Sequence, residues 1–89
     1  MTSIFLIADL INKDITLRRF ANQNNRWMAE FENADIKDKS MLLSAYGNGL
    51  TPEAALIDYI NQIAKKTIIF NGLNAERRTE FTMPKDLCL

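Results

Sequence analysis

Thr51-Pro52-Glu53 opens a helix, and that helix most constrains how the rest of the chain can fold. Thr51 is a preferred N-cap, its hydroxyl free to accept a hydrogen bond from an amide of the first turn. Pro52 falls at N1, where its missing N–H leaves no bond unmade. Glu53 sets negative charge at the positive end of the helix dipole. Leu56, Tyr59, Ile60 and Ile63 then recur at i, i+3, i+4 and i+7, which makes one apolar stripe. Asp58, Asn61, Gln62 and Lys65 take the other side, and Lys65 and Lys66 are expected to close the helix at its negative end. A one-sided helix needs a second layer to bury its stripe.

Strands supply that layer. Ile15–Phe20 and Arg26–Glu32 read as a hairpin joined by the polar loop 21–25. In the second strand Trp27, Ala29 and Phe31 point one way, and Met28, Glu30 and Glu32 the other. Met41–Tyr46 reads as a third strand, with Met41, Leu43 and Ala45 on one face, and the glycines flanking Asn48 end it in a sharp turn. Between them, residues 33–40 read as an exposed connection of mixed charge. Thr67–Asn71 is a fourth strand, 73–80 a loop, and Thr79–Met83 one more short strand before Pro84. Near the start, Leu6 with Leu10 and Ile7 with Ile11 fall at i, i+4. Ser3 as N-cap and Asn12 as stop then favour a short helix over a buried strand. The expected fold is α+β: an antiparallel three- to four-stranded sheet packed on an amphipathic helix, in the order α-β-β-β-α-β. Residues 1–84 form the single domain. Residues 85–89 form a C-terminal tail, loose or tethered by Leu87 alone.

Composition removes several function classes. With 89 residues there is room for one thin core and little for a deep pocket. Eleven basic residues balance eleven acidic ones. That argues against a general phosphate binder, which needs a basic excess, and against an acidic nucleic-acid mimic. No histidine is present, so Ser-His-Asp and Cys-His catalysis and imidazole zinc sites drop out. The lone cysteine, Cys88, cannot form an internal disulfide and suits a reducing cytoplasm. The apolar run near Met1 is short and interrupted by Asp9, neither a secretory signal nor a membrane span. The expectation is a cytoplasmic, non-enzymatic protein with no cofactor, no metal, no catalytic residue and no membrane association.

Some constellations still invite chemistry. Glu30 and Glu32 share a strand face, the arrangement of a metal or acid-base pair, but acids at i, i+2 are commonplace on a solvated strand. Gly47-Asn48-Gly49 precedes a helix start, where bare amides attract anions; without a Walker lysine or a G-x-G-x-x-G match, a plain strand-to-helix turn explains it better. The arginines are the better candidates. Arg18, Arg19 and Arg26 flank the hairpin beside Trp27, and Arg77-Arg78 form a second pair. Arginine next to an aromatic side chain is common on protein interfaces and nucleic-acid surfaces. On a strand edge, the same charges serve to discourage sheet-to-sheet aggregation. Trp27 alternates with Ala29 and Phe31 and so reads as core.

One run of motifs resembles a family. It comprises Arg26-Trp27-Met28-Ala29-Glu30-Phe31, Ser44-Ala45-Tyr46-Gly47-Asn48-Gly49, Thr51-Pro52-Glu53-Ala54-Ala55, Thr67-Ile68-Ile69-Phe70 and Arg77-Arg78. Together they resemble small, largely uncharacterised proteins of phages and prophages of Gram-positive bacteria. The element order is also similar to the HicB-type antitoxin fold and to the double-stranded RNA-binding domain. In place of the basic run that opens the second helix of RNA-binding members, this chain has Pro52 and Glu53, an acidic start that repels phosphate. The resemblance implies a phage accessory protein in the host cytoplasm that binds and inhibits a host protein, a defence nuclease in the manner of anti-CRISPR proteins being the natural target. A nucleic-acid-binding module of dsRBD-like or HicB-like fold is the alternative. In either case an exposed strand edge permits a homodimer.

Overall fold

A computed structural model describes residues 1–21 and 25–89. The chain folds as α+β, with antiparallel sheets packed around the helix that the capping motif announced. Its elements are β1 (Thr2–Ser3), α1 (Ile4–Ile11), β2 (Ile15–Arg19), β3 (Trp27–Phe31), β4 (Ala34–Asp38), β5 (Met41–Leu43), β6 (Gly47–Gly49), α2 (Pro52–Ile63), β7 (Thr67–Phe70), β8 (Thr79–Thr82) and β9 (Leu87–Cys88).

Both helices start as their caps dictate. The Thr51 hydroxyl accepts from the Ala54 amide at 3.0 Å, with Pro52 in the first turn. Leu56, Tyr59, Ile60 and Ile63 are all buried, joined by Ala55. The helix is shorter than expected: it stops at Ile63, Ala64 is already extended, and Lys65 takes φ 70° to turn the chain into β7, so no basic side chain stands in the last turn. At α1 the Ser3 hydroxyl accepts from the Phe5 amide at 3.2 Å. Asn12 ends the helix in the left-handed region at φ 55°, a conformation that asparagine tolerates.

The strands form two main sheets. One has the order β2-β3-β6, the other β5-β4-β7-β8, and every pairing in them is antiparallel. The expected hairpin is present, with Arg19 opposite Trp27 and Ile15 opposite Phe31. Part of its loop, residues 22–24, lies outside the described residues. Residues 34–38, expected to be an exposed connection, are instead the inner strand β4, flanked by β5 and β7. Their charges mask a short alternation: Ala34 and Ile36 pack against the core, while Lys37 is exposed and pairs with Glu80 at 3.9 Å. The strand expected over 41–46 is only the three-residue β5, and Met41 and Leu43 are exposed.

The third strand on the helix is a different segment. Gly47–Gly49, expected to turn, runs straight as β6 against β3 and α2, and neither glycine has positive φ. The glycines are needed for close approach. A Cβ on Gly47 would collide with the Ala55 carbonyl oxygen and stand 2.7 Å from the Tyr59 Cβ. One on Gly49 would stand 2.6 Å from the Ala55 amide nitrogen. Only a bare backbone lets a strand lie this close to a helix.

The core fills the space between α2, α1 and the inward sheet faces. Phe31 packs edge-on to Phe70 at 5.5 Å and against Tyr59 at 6.2 Å. The segment after Pro84 is seated, not loose: β9 pairs with β1 in parallel, Leu87 is buried, and the Thr2 hydroxyl donates to the Asp86 carboxylate at 3.1 Å. That bond holds the Asp86 carboxyl below its usual range. Among the described residues no helix is long and apolar enough to cross a membrane.

Candidate functional site

The hairpin β2–β3 divides its arginines between two faces. Strand alternation and register place Arg18, Met28 and Asn48 in one cross-strand row, on the face turned away from α2. Arg26, two residues before Met28, belongs to the same face and donates through Nε to Asn48 Oδ1 at 2.7 Å. Arg18 Nε lies 3.1 Å from Met28 Sδ, so its stem crosses a methionine that is itself buried. Arg19 falls in the opposite row with Trp27 and Gly49. Its guanidinium stacks over the Trp27 ring at 5.2 Å, and Trp27 is half-buried against the core. The structure thus gathers Arg18 with Arg26 and turns Arg19 away from both.

Arg77 and Arg78 stand elsewhere, in the β7–β8 connection of the other sheet. There Arg78 reaches the Gly72 carbonyl at 3.4 Å. They share no sheet with the hairpin arginines.

The outward face has further members that charge did not single out. Phe20 and Tyr46 approach edge to face at 5.7 Å, and Tyr46 is half exposed. A shallow hollow of about 230 Å³ is lined by Arg18, Arg19, Phe20, Ala21 and Met28. At the other end of the face the charge changes sign. Glu30 pairs in register with Thr16, and the Thr16 hydroxyl donates to the Glu32 carboxylate at 3.3 Å. The face runs from cationic and aromatic to anionic.

Two α2 side chains complete the arrangement from the other side. Asp58 accepts from the Asn48 backbone amide at 2.8 Å and from Gln62 Nε2 at 3.1 Å, while Gln62 also donates to the Tyr46 carbonyl at 2.8 Å. These residues, i and i+4 on the helix, read as its solvent side; they bind the free edge of β6. Tyr59 does the same for β3, its hydroxyl accepting from the Phe31 amide at 3.1 Å. Burial pushes the Tyr59 phenol up to about 12, against a smaller lowering by that amide bond.

The geometry bears on the other candidates. The amide of Asn48 is taken by Asp58, a carboxylate, so the Gly47-Asn48-Gly49 backbone presents an anion of its own where an external anion would have to bind. Glu30 and Glu32 gain no third ligand: among the described residues no three acidic or cysteine side chains cluster as a metal site would need. Cys88 is half-buried on β9.

No family model matches the chain, and neither the curated proteins nor the solved structures contain a match to it.

Proposed function

We propose that this chain is a non-enzymatic phage accessory protein that binds and inhibits a host protein, a defence nuclease being the target class, through the outward face of its three-stranded sheet. The observation that carries the reading is the convergence of Arg18, Arg26, Phe20 and Tyr46 on one exposed face, above a buried methionine. Arginine and aromatic side chains are the groups that dominate binding energy when a partner covers them. Arg26 is already held by Asn48, so it loses little freedom on docking. The Glu30 and Glu32 end adds a charge gradient that fixes orientation on a partner of opposite polarity. The host context rests on the resemblance of the sequence motifs to phage proteins, which this reading takes as its premise.

Binding of single-stranded nucleic acid is the second reading. It is favoured by the two rings beside two guanidinium groups, since bases stack on aromatics between cationic contacts. The net charge of zero weighs against it.

The test is affinity capture from a Gram-positive host lysate with the wild-type chain and with Arg18→Glu/Arg26→Glu, beside a gel shift with a single-stranded oligonucleotide at low salt. The reading expects a partner retained by the wild type and lost by the variant, with no shift. Capture of nothing, or of the same partner by both, contradicts it. A salt-sensitive shift abolished by the variant supports the nucleic-acid reading instead.

A further inference from the structure

The three-stranded sheet has two edges, and only one is closed. At β6 the outward amide of Asn48 and the outward carbonyl of Tyr46 are bound by Asp58 and Gln62. At β2 the register shows which backbone groups are free. The Phe20 amide donates to the Arg26 carbonyl and the Glu32 amide to the Asp14 carbonyl, so the even-numbered residues of β2 bond β3. Ile15, Leu17 and Arg19 therefore turn their N–H and C=O groups away from the sheet. Among the described residues nothing bonds those groups. The edges of the other sheet, β5 and β8, have three and four residues; β2 has five.

We propose that β2 pairs antiparallel with β2 of a second copy, about a two-fold axis through Leu17, joining two three-stranded sheets into one of six. This register sets Leu17 against Leu17, and Leu17 is 38% exposed in the single chain. It sets Arg19 opposite Ile15 and Arg18 opposite Thr16. The charges then complement one another. The Thr16 hydroxyl holds the Glu32 carboxylate over β2, 3.3 Å away, where Arg18 of the second copy arrives. Symmetry makes this contact twice. A parallel in-register stack would instead set Arg18 on Arg18 and Arg19 on Arg19, which is unfavourable. The arginines thus select a closed pair over open-ended strand addition. This assembly does not depend on the host-protein reading, because it needs no partner but the chain itself.

Sedimentation of the purified chain over a wide concentration range tests it. The expected result is a reversible monomer–dimer equilibrium. Arg18→Glu and Glu32→Arg should each weaken it about tenfold, since each turns two attractive cross-strand pairs repulsive. The double swap Arg18→Glu/Glu32→Arg should restore the association. The Leu17 amide should exchange more slowly as concentration rises. A monomer at every concentration overturns the proposal. So does a dimer in which the double swap is no stronger than either single variant, or in which Leu17 gains no protection. A failed lysate capture leaves each of these outcomes untouched.

Discussion

The two edge strands of the three-stranded sheet differ in almost every respect. β6 is three residues of glycine and asparagine with no apolar side chain, yet it is fixed on two sides: β3 pairs with one edge, and Asp58 and Gln62 of α2 hold the other. β2 has Ile15, Thr16 and Leu17, all good strand formers, yet its outer edge carries no bond among the described residues. Local β-propensity does not decide which edge is secure. Access does. Glycines bring β6 near enough to the helix for side chains to reach its backbone, whereas among the described residues no helix side chain bonds the outer edge of β2.

The sharpest way to break this contrast is Gly47→Ala. The new Cβ meets helix backbone, which cannot rotate aside, so β6 must leave α2. The expected loss is about 3 kcal/mol or more, in the upper range for overpacking, read by denaturant unfolding.

Next in size is Tyr59→Phe, which removes the hydroxyl that accepts from the Phe31 amide and leaves a buried donor unpaired. The expected loss is about 1–3 kcal/mol at neutral pH. The same variant changes the alkaline limb of the stability profile. In the unfolded chain Tyr59 ionises near 10, but in the fold it keeps its proton to about 12. The folded state therefore binds more protons between these values. Its stability is complete below pH 10 and falls as pH rises towards 12, by roughly 1.4 kcal/mol per pH unit from this group. In Tyr59→Phe that part of the decline disappears.

Asp58→Ala opens the β6 edge without disturbing its packing on α2. The half-buried Asn48 amide loses a charge-assisted bond, an expected loss of about 1–2 kcal/mol by thermal or denaturant unfolding. The smallest effect belongs to the open side. Arg18→Ala should leave monomer stability within about 0.5 kcal/mol, since its side chain is exposed and, among the described residues, its one hydrogen bond is to sulfur. Its consequence should appear in association instead.

These differences show what the sequence made legible. The helix over Thr51-Pro52-Glu53 could be read because capping and periodicity are local signals, and so could the hairpin and the short helix after Ser3. β4 was hidden because Asp35, Lys37 and Asp38 outweigh Ala34 and Ile36 by count, although it is Ala34 and Ile36 that pack against the core. β6 was hidden more deeply. Two glycines around an asparagine carry the local signature of a turn, and only the proximity of Ala55 and Tyr59 shows that they serve close packing. At the site, the arginines could be found from composition, but their division could not. Arg18 and Arg19 are adjacent, so alternation must send them to opposite faces. Phe20 and Tyr46 meet across the sheet from distant parts of the sequence. Asp58 and Gln62 were legible only as a polar i, i+4 pair, with nothing to say that they face a strand.

Amide hydrogen exchange on the intact chain compares the two edges in one experiment. In dilute solution the Asn48 amide, bound by Asp58, should be protected, while the Leu17 amide at the centre of β2 exchanges freely; raising the concentration should slow Leu17 and leave Asn48 unchanged. An Asn48 amide that exchanges as fast as Leu17, or a Leu17 amide protected at every dilution, would contradict a sheet with one closed edge and one open.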